Sequence, residues 1–135
     1  MAAIKSFRGL IVYKKAFELA CIIYEVTRSF PKEEMFSLTD QIRRSSRSIC
    51  SNLAEAWGRK IYPKVFVNKL SDALAEQMET EVWLDFCVRH HYIDNVTYTT
   101  LIDEYGEISR MLTAMLKNPE KFSRKPAGPM KSTIN

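Results

Sequence analysis

Residues 41–60 read QIRRSSRSICSNLAEAWGRK. At about 100° per residue this stretch carries two separate faces fit for burial. Ile42, Ser46, Ile49, Leu53, Ala56 and Trp57 form an ordinary core stripe, while on the far side Ser51, Ala54 and Gly58 make a stripe of small residues below Arg43, Arg44 and Arg47. One bundle core absorbs only the first stripe. The second predicts close approach by something outside that core.

Working outward, residues 10–29 predict a first helix whose core stripe is Val12, Ala16, Leu19, Ile23 and Val26, leading to Phe30 and stopped by Pro31. Ser37 or Thr39 offers an N-cap for the second helix, with Asp40 or Gln41 close behind, and Gly58 marks its end. Pro63 sits in the first turn of a third helix that continues unbroken to about Val88. Asp94, Asn95 or Thr97 can cap a fourth, which buries Leu101, Tyr105, Ile108, Leu112 and Met115 at helical spacing and stops before Pro119. The expectation is an all-α, antiparallel up-down four-helix bundle over residues 10–117. Residues 1–9 are an N-terminal extension. Residues 118–135, with two further prolines and a surplus of Lys and Arg, are a basic flexible tail: either a solvated end or an arm against a nucleic acid backbone.

At 135 residues, 46% of them hydrophobic and only four glycines, the chain is long enough for one domain with a real core and poorly suited to a many-turned β fold. Cys21, Cys50 and Cys87 are an odd number with no Cys-x-x-Cys pair, which predicts reduced, buried thiols. No stretch approaches the roughly 18 apolar residues of a membrane span, and the first ten residues lack the pattern of a leader. A cytoplasmic protein with no membrane partner is the expectation. The net charge of +4 is unevenly placed. Residues 1–60 hold 11 Lys and Arg against 6 Asp and Glu, residues 61–117 hold 5 against 9, and the tail adds 4 against 1.

The first helix is apolar beyond what one core needs, since Tyr13, Phe17, Cys21 and Tyr24 lie away from the Val12 stripe. Either these aromatics cover the segment around Phe7 and Leu10, or they meet another subunit. The small stripe of Ser51, Ala54 and Gly58 then suits a partner helix. With a basic half facing an acidic half the contact is head-to-tail, which predicts a cyclic homo-oligomer.

Arg43, Arg44 and Arg47 share one outer arc, and Arg59, Lys60 and Lys64 cluster where the second and third helices meet. Such residues fork onto phosphates, with Trp57 and Tyr62 nearby to stack on bases; alternatively they pair with carboxylates, Glu55 with Arg59 for example. Asn52, Glu55 and Glu81 read as polar groups that fix helix register rather than as a catalytic pair. A di-iron bundle needs Glu-x-x-His motifs that are absent, and the adjacent His90 and His91 point apart, so no metal is expected. No phosphate-binding Gly-rich loop, nucleophile elbow or cofactor motif is present either. The residues point to a non-enzymatic binding protein without cofactors, its basic groups either taking nucleic acid, RNA or DNA, or serving a protein-interaction scaffold.

QIRRSSRSICSNLAEAWGR resembles the signature of the small bacterial four-helix-bundle proteins encoded in intervening sequences of large-subunit ribosomal RNA genes. Leu10-Ile11-Val12-Tyr13-Lys14-Lys15-Ala16, Phe30-Pro31-Lys32-Glu33-Glu34, Glu79-Thr80 and Tyr92-Ile93 extend the likeness over roughly residues 7–116. The pattern departs at Cys50, where the family often has proline, and at Ala56, where it often has glycine; both changes favour a regular helix. The same superfamily includes the accessory variability protein of diversity-generating retroelements, a basic pentameric barrel that works with a reverse transcriptase and binds nucleic acid. The resemblance therefore implies a homopentamer, RNA as the favoured ligand and a nucleic-acid enzyme such as a reverse transcriptase as a partner.

Overall fold

The computed structural model describes residues 3–123. Among them all regular structure is helical: a 3-10 turn at Phe7–Gly9, α1 at Ile11–Thr27, a 3-10 turn at Lys32–Glu34, α2 at Leu38–Gly58, α3 at Pro63–Arg89, α4 at Asn95–Lys117 and a short α5 at Glu120–Ser123. The four long helices surround one contiguous core. Val12, Ala16, Leu19 and Ile23 enter it from α1, Ile42, Ile49, Leu53 and Ala56 from α2, Phe66, Leu70, Ala73 and Leu84 from α3, and Leu101, Tyr105, Ile108 and Leu112 from α4. Each fully buried large aliphatic side chain in this set contributes on the order of 2 kcal/mol. α2 packs against both α1 and α3, and α4 closes the circuit between α3 and α1.

The start of α2 is capped differently from expectation. Ser37 occupies the N-cap position without a side-chain cap bond, and Thr39 is buried in the first turn. The cap comes from Glu34, in the preceding turn. Its Oε1 accepts the Leu38 N–H at 3.2 Å and the Ser37 hydroxyl, and its Oε2 accepts the Tyr92 hydroxyl at 3.0 Å. These donors, the Ser37 hydroxyl foremost, hold the Glu34 carboxyl below its ordinary value of 4.5. A carboxylate depressed in the folded state stabilises the fold above its unfolded pKa, and that stability is lost as pH falls through the folded value. Glu34→Ala should therefore cost about 1 kcal/mol at neutral pH, as other lost caps do. The deficit should shrink below pH 4.5. Urea unfolding of both proteins at pH 7 and in acid checks this, and a deficit that does not change with pH would reject the cap.

The C-terminal end of α3 uses a left-handed residue. Tyr92 N–H bonds the Cys87 carbonyl at 2.9 Å and His91 N–H bonds the Val88 carbonyl at 3.1 Å, the paired bonds of a Schellman stop. His91 supplies the required positive φ, 63°, where glycine carries no Cβ penalty. His91→Gly should raise stability by about 1 kcal/mol, seen as a higher urea midpoint with an unchanged slope. α4 begins as expected, with Asp94 accepting the Thr97 N–H at 2.7 Å.

Two further expectations change, those for the thiols and for the start of the tail, while the cover of the aromatics by the segment around Phe7 is met in part. Cys87 is buried, but Cys50 is half-buried and Cys21 exposed, because the outer side of α1 is left open among the described residues. The N-terminal extension is partly docked, with Phe7 edge-on to Tyr13 at 4.9 Å. The first residues assigned to the flexible tail instead form α5, where Phe122 stacks on Phe66 at 6.5 Å. The rest of that tail, 124–135, lies outside the described residues. No helix among the described residues is long and apolar enough to cross a membrane.

Candidate functional site

The outer sides of α1 and α2 meet in an apolar groove of about 640 Å³. Tyr13, Phe17 and Tyr24 form one wall and Ser51 and Ala54 the other, so five of the six proposed interface residues are brought together. Gly58, the sixth, ends α2 outside the groove in open space. Tyr13 is covered by Phe7 and stacks on Phe17 at 6.1 Å. Phe17 and Tyr24 stay open, 48% and 40% exposed, so the N-terminal segment covers only part of the aromatic face. Burial pushes the Cys50 thiol on the groove floor up to about 11, which keeps it protonated at neutral pH.

The first three arginines divide between two sides of α2. Arg43 turns inward: its Nε donates to Thr27 Oγ1 at 2.8 Å, and its guanidinium lies 4.6 Å from the Tyr24 ring. Arg47 lies 5.8 Å from the same ring. Arg44 faces a polar cleft toward α3 that also holds Glu76 and Glu79. Burial, then the charge of Glu79, raises the Glu76 carboxyl, and Arg44 offsets part of that rise. These arginines thus already have neighbours of suitable chemistry inside the chain.

Arg59, Lys60 and Lys64 lie sixteen or more residues further on, roughly 24 Å along the helix axis from Arg43. Lys60 rests 3.5 Å over the Trp57 ring, an arrangement that holds its ammonium at the surface. Arg59 and Lys64 are exposed, and Tyr62 between them is 54% exposed. No carboxylate among the described residues lies within ion-pair reach of these three cations. The alternative pairing of Glu55 with Arg59 is not the one formed: Glu55 reaches across to Lys69 on α3 at 2.8 Å, because the last turn of α2 faces the first turns of α3.

The polar residues serve the helices. Asn52 donates to the Ser48 carbonyl at 2.9 Å, and Glu81 accepts from the buried Gln77 amide. Sequence reading did not single out the buried Ser45–Thr80 hydrogen bond, 2.9 Å between α2 and α3, although Thr80 falls on the same helical face as Leu84 and Cys87. It also missed Phe36, which is 90% exposed and shares a cleft with Trp83, Phe86 and His90. The signal was available in an aromatic residue placed two positions after an acidic turn. Among the described residues no group of three or more His, Cys, Asp and Glu is placed to hold a metal ion, and His90 and His91 are both exposed.

Residues 8–114 match the family model described as 23S rRNA-intervening sequence protein. The chain is also similar to a crystal structure from Bacteroides thetaiotaomicron VPI-5482 of a protein with unknown function from the S23 ribosomal protein family. The two are 33% identical with a TM-score of 0.73, over 80% of this chain and 96% of that one. No curated protein matches it. Since the family model runs from the turn before α1 almost to the end of α4, and a solved relative shares both fold and sequence, the chain belongs to the 23S rRNA-intervening sequence protein family.

Proposed function

We propose that this chain is a cytoplasmic, non-enzymatic homopentamer of antiparallel up-down bundles that binds nucleic acid, RNA in preference to DNA, through one end of the bundle. The observation that carries the binding is the corner formed by Arg59, Lys60 and Lys64 around an exposed Tyr62. Ser45 meets Thr80 while Glu55 meets Lys69, so pairs climb α2 as they descend α3, which supports the antiparallel arrangement. In that arrangement the charge asymmetry becomes end-to-end. Dividing each long helix at its midpoint, residues 3–18, 49–76 and 107–123 hold 11 Lys and Arg against 6 Asp and Glu, while residues 19–48 and 77–106 hold 6 against 10. A ring would gather the basic ends on one rim, where phosphates bind by counterion release and bases stack on Tyr62. Such a ring could present bound RNA to a nucleic-acid enzyme such as a reverse transcriptase, in line with the resemblance.

The test is a titration of labelled structured RNA and single-stranded DNA with protein of mass determined by light scattering, at several salt concentrations. Tight binding that falls steeply with salt is the expected result, and absence of binding at low salt would reject it. A second reading, a scaffold for protein partners, is favoured by the open groove between α1 and α2. Under it the arginines matter for assembly alone.

A further inference from the structure

We infer that the α1–α2 groove seats the outer stripe of α3, Ala75, Met78, Val82 and Phe86, of a second copy of this chain. The inference rests on the self-assembly proposed above and names the surfaces that would carry it. The aromatic face of α1 and the small residues of α2 were natural counterparts when read along the sequence. In the fold they are two walls of one groove, so neither fills it within the same copy, and a third surface is free to serve as the occupant.

The outer side of α3 fits. Met78, Val82 and Phe86 are each about half exposed and recur every four residues, opposite the face that buries Leu70, Ala73 and Leu84. Phe36 shares a cleft with Phe86 and prolongs the stripe beyond the helix, leaving an apolar surface with no cover among the described residues. Charge matches as well. Asp72, Glu79 and Asp85 are exposed beside the stripe, whereas Arg47 lines the groove and Arg43 lies against its Tyr24. Ser51 and Ala54 on one wall let a helix approach closely. The two surfaces differ, so the contact is head-to-tail: each copy keeps one groove and one stripe to offer its neighbours, and the chain of contacts ends only by closing on itself.

Phe17→Asp removes the groove and keeps the stripe; Val82→Asp does the reverse. Both positions are exposed, and unchanged helix content by circular dichroism confirms folding, with Tyr24→Glu and Met78→Asp repeating the test if it does not. Light scattering should find each variant monomeric and an equimolar mixture, about tenfold above the concentration at which the parent assembles, largely a 1:1 dimer through the one intact contact. A monomeric parent, a Val82→Asp variant of parental mass, a Phe17→Asp variant of parental mass, or a mixture that stays monomeric would each overturn the pairing. None of these masses involves RNA, so failure to bind nucleic acid and failure of this contact are read separately.

Discussion

Replacing Arg59, Lys60 and Lys64 together with glutamine should weaken binding to single-stranded RNA about 100-fold near 0.1 M salt. Each phosphate contact adds roughly 0.7 to the slope of log affinity against log salt, so losing three lowers the slope by about 2. The three cations have no carboxylate partner among the described residues, and two of them are exposed, so their charge is available to a ligand. The matching Arg43, Arg44 and Arg47 triple should behave differently. Arg43 is hydrogen-bonded to Thr27 and lies against Tyr24, and losing both contacts costs about 1–2 kcal/mol of stability. Its effect on RNA should be smaller than that of the first triple. Equal losses of affinity and of salt slope in the two variants would sink the assignment of the basic corner.

Leu53→Ala and Ala54→Glu should separate folding from assembly at adjacent positions. Leu53 is fully buried in the α2 core stripe, and removing its isobutyl group should cost about 3 kcal/mol, lowering the melting temperature by roughly 10 °C. Ala54 lines the groove, where a glutamate leaves the core intact but puts an unpaired carboxylate between copies. Its bundle should keep the parent's urea midpoint when both are measured as monomers, while its assembled mass falls. If Ala54→Glu unfolds the chain, or assembles like the parent, the second face of α2 is not an interface.

Much of the fold was legible because core positions recur at helical spacing. Ile42, Ile49 and Leu53, and Leu101, Tyr105 and Ile108, could be placed from periodicity alone, and all are buried. What periodicity does not contain is the identity of the neighbouring helix. The Glu55–Arg59 pair was the best local choice four residues apart, yet the nearer cation in space, Lys69, is fourteen residues away. The same blindness applied to Arg43, whose arc could be drawn but whose partner Thr27 belongs to another helix. Charge counted along the chain divided it into halves, while the proposed antiparallel arrangement would redistribute the same residues toward the two ends. The cap of α2 was missed for a similar reason, since Glu34 bonds the Tyr92 hydroxyl from the far end of α3 as well as its own turn.

The two tryptophans stand at the two surfaces proposed for RNA and for self-assembly. Trp57 carries Lys60 on its ring beside the basic corner, and Trp83 lies within α3 alongside the exposed stripe, its indole N–H on Glu79. On those two proposals the unmodified protein is its own optical sensor with two channels. RNA that draws Lys60 away should alter Trp57 emission at fixed protein concentration, and dilution that frees the α3 stripe should alter Trp83 emission without RNA. Trp57→Phe and Trp83→Phe would each leave a single channel, so ligand capture and ring assembly could be followed in one cuvette without a label.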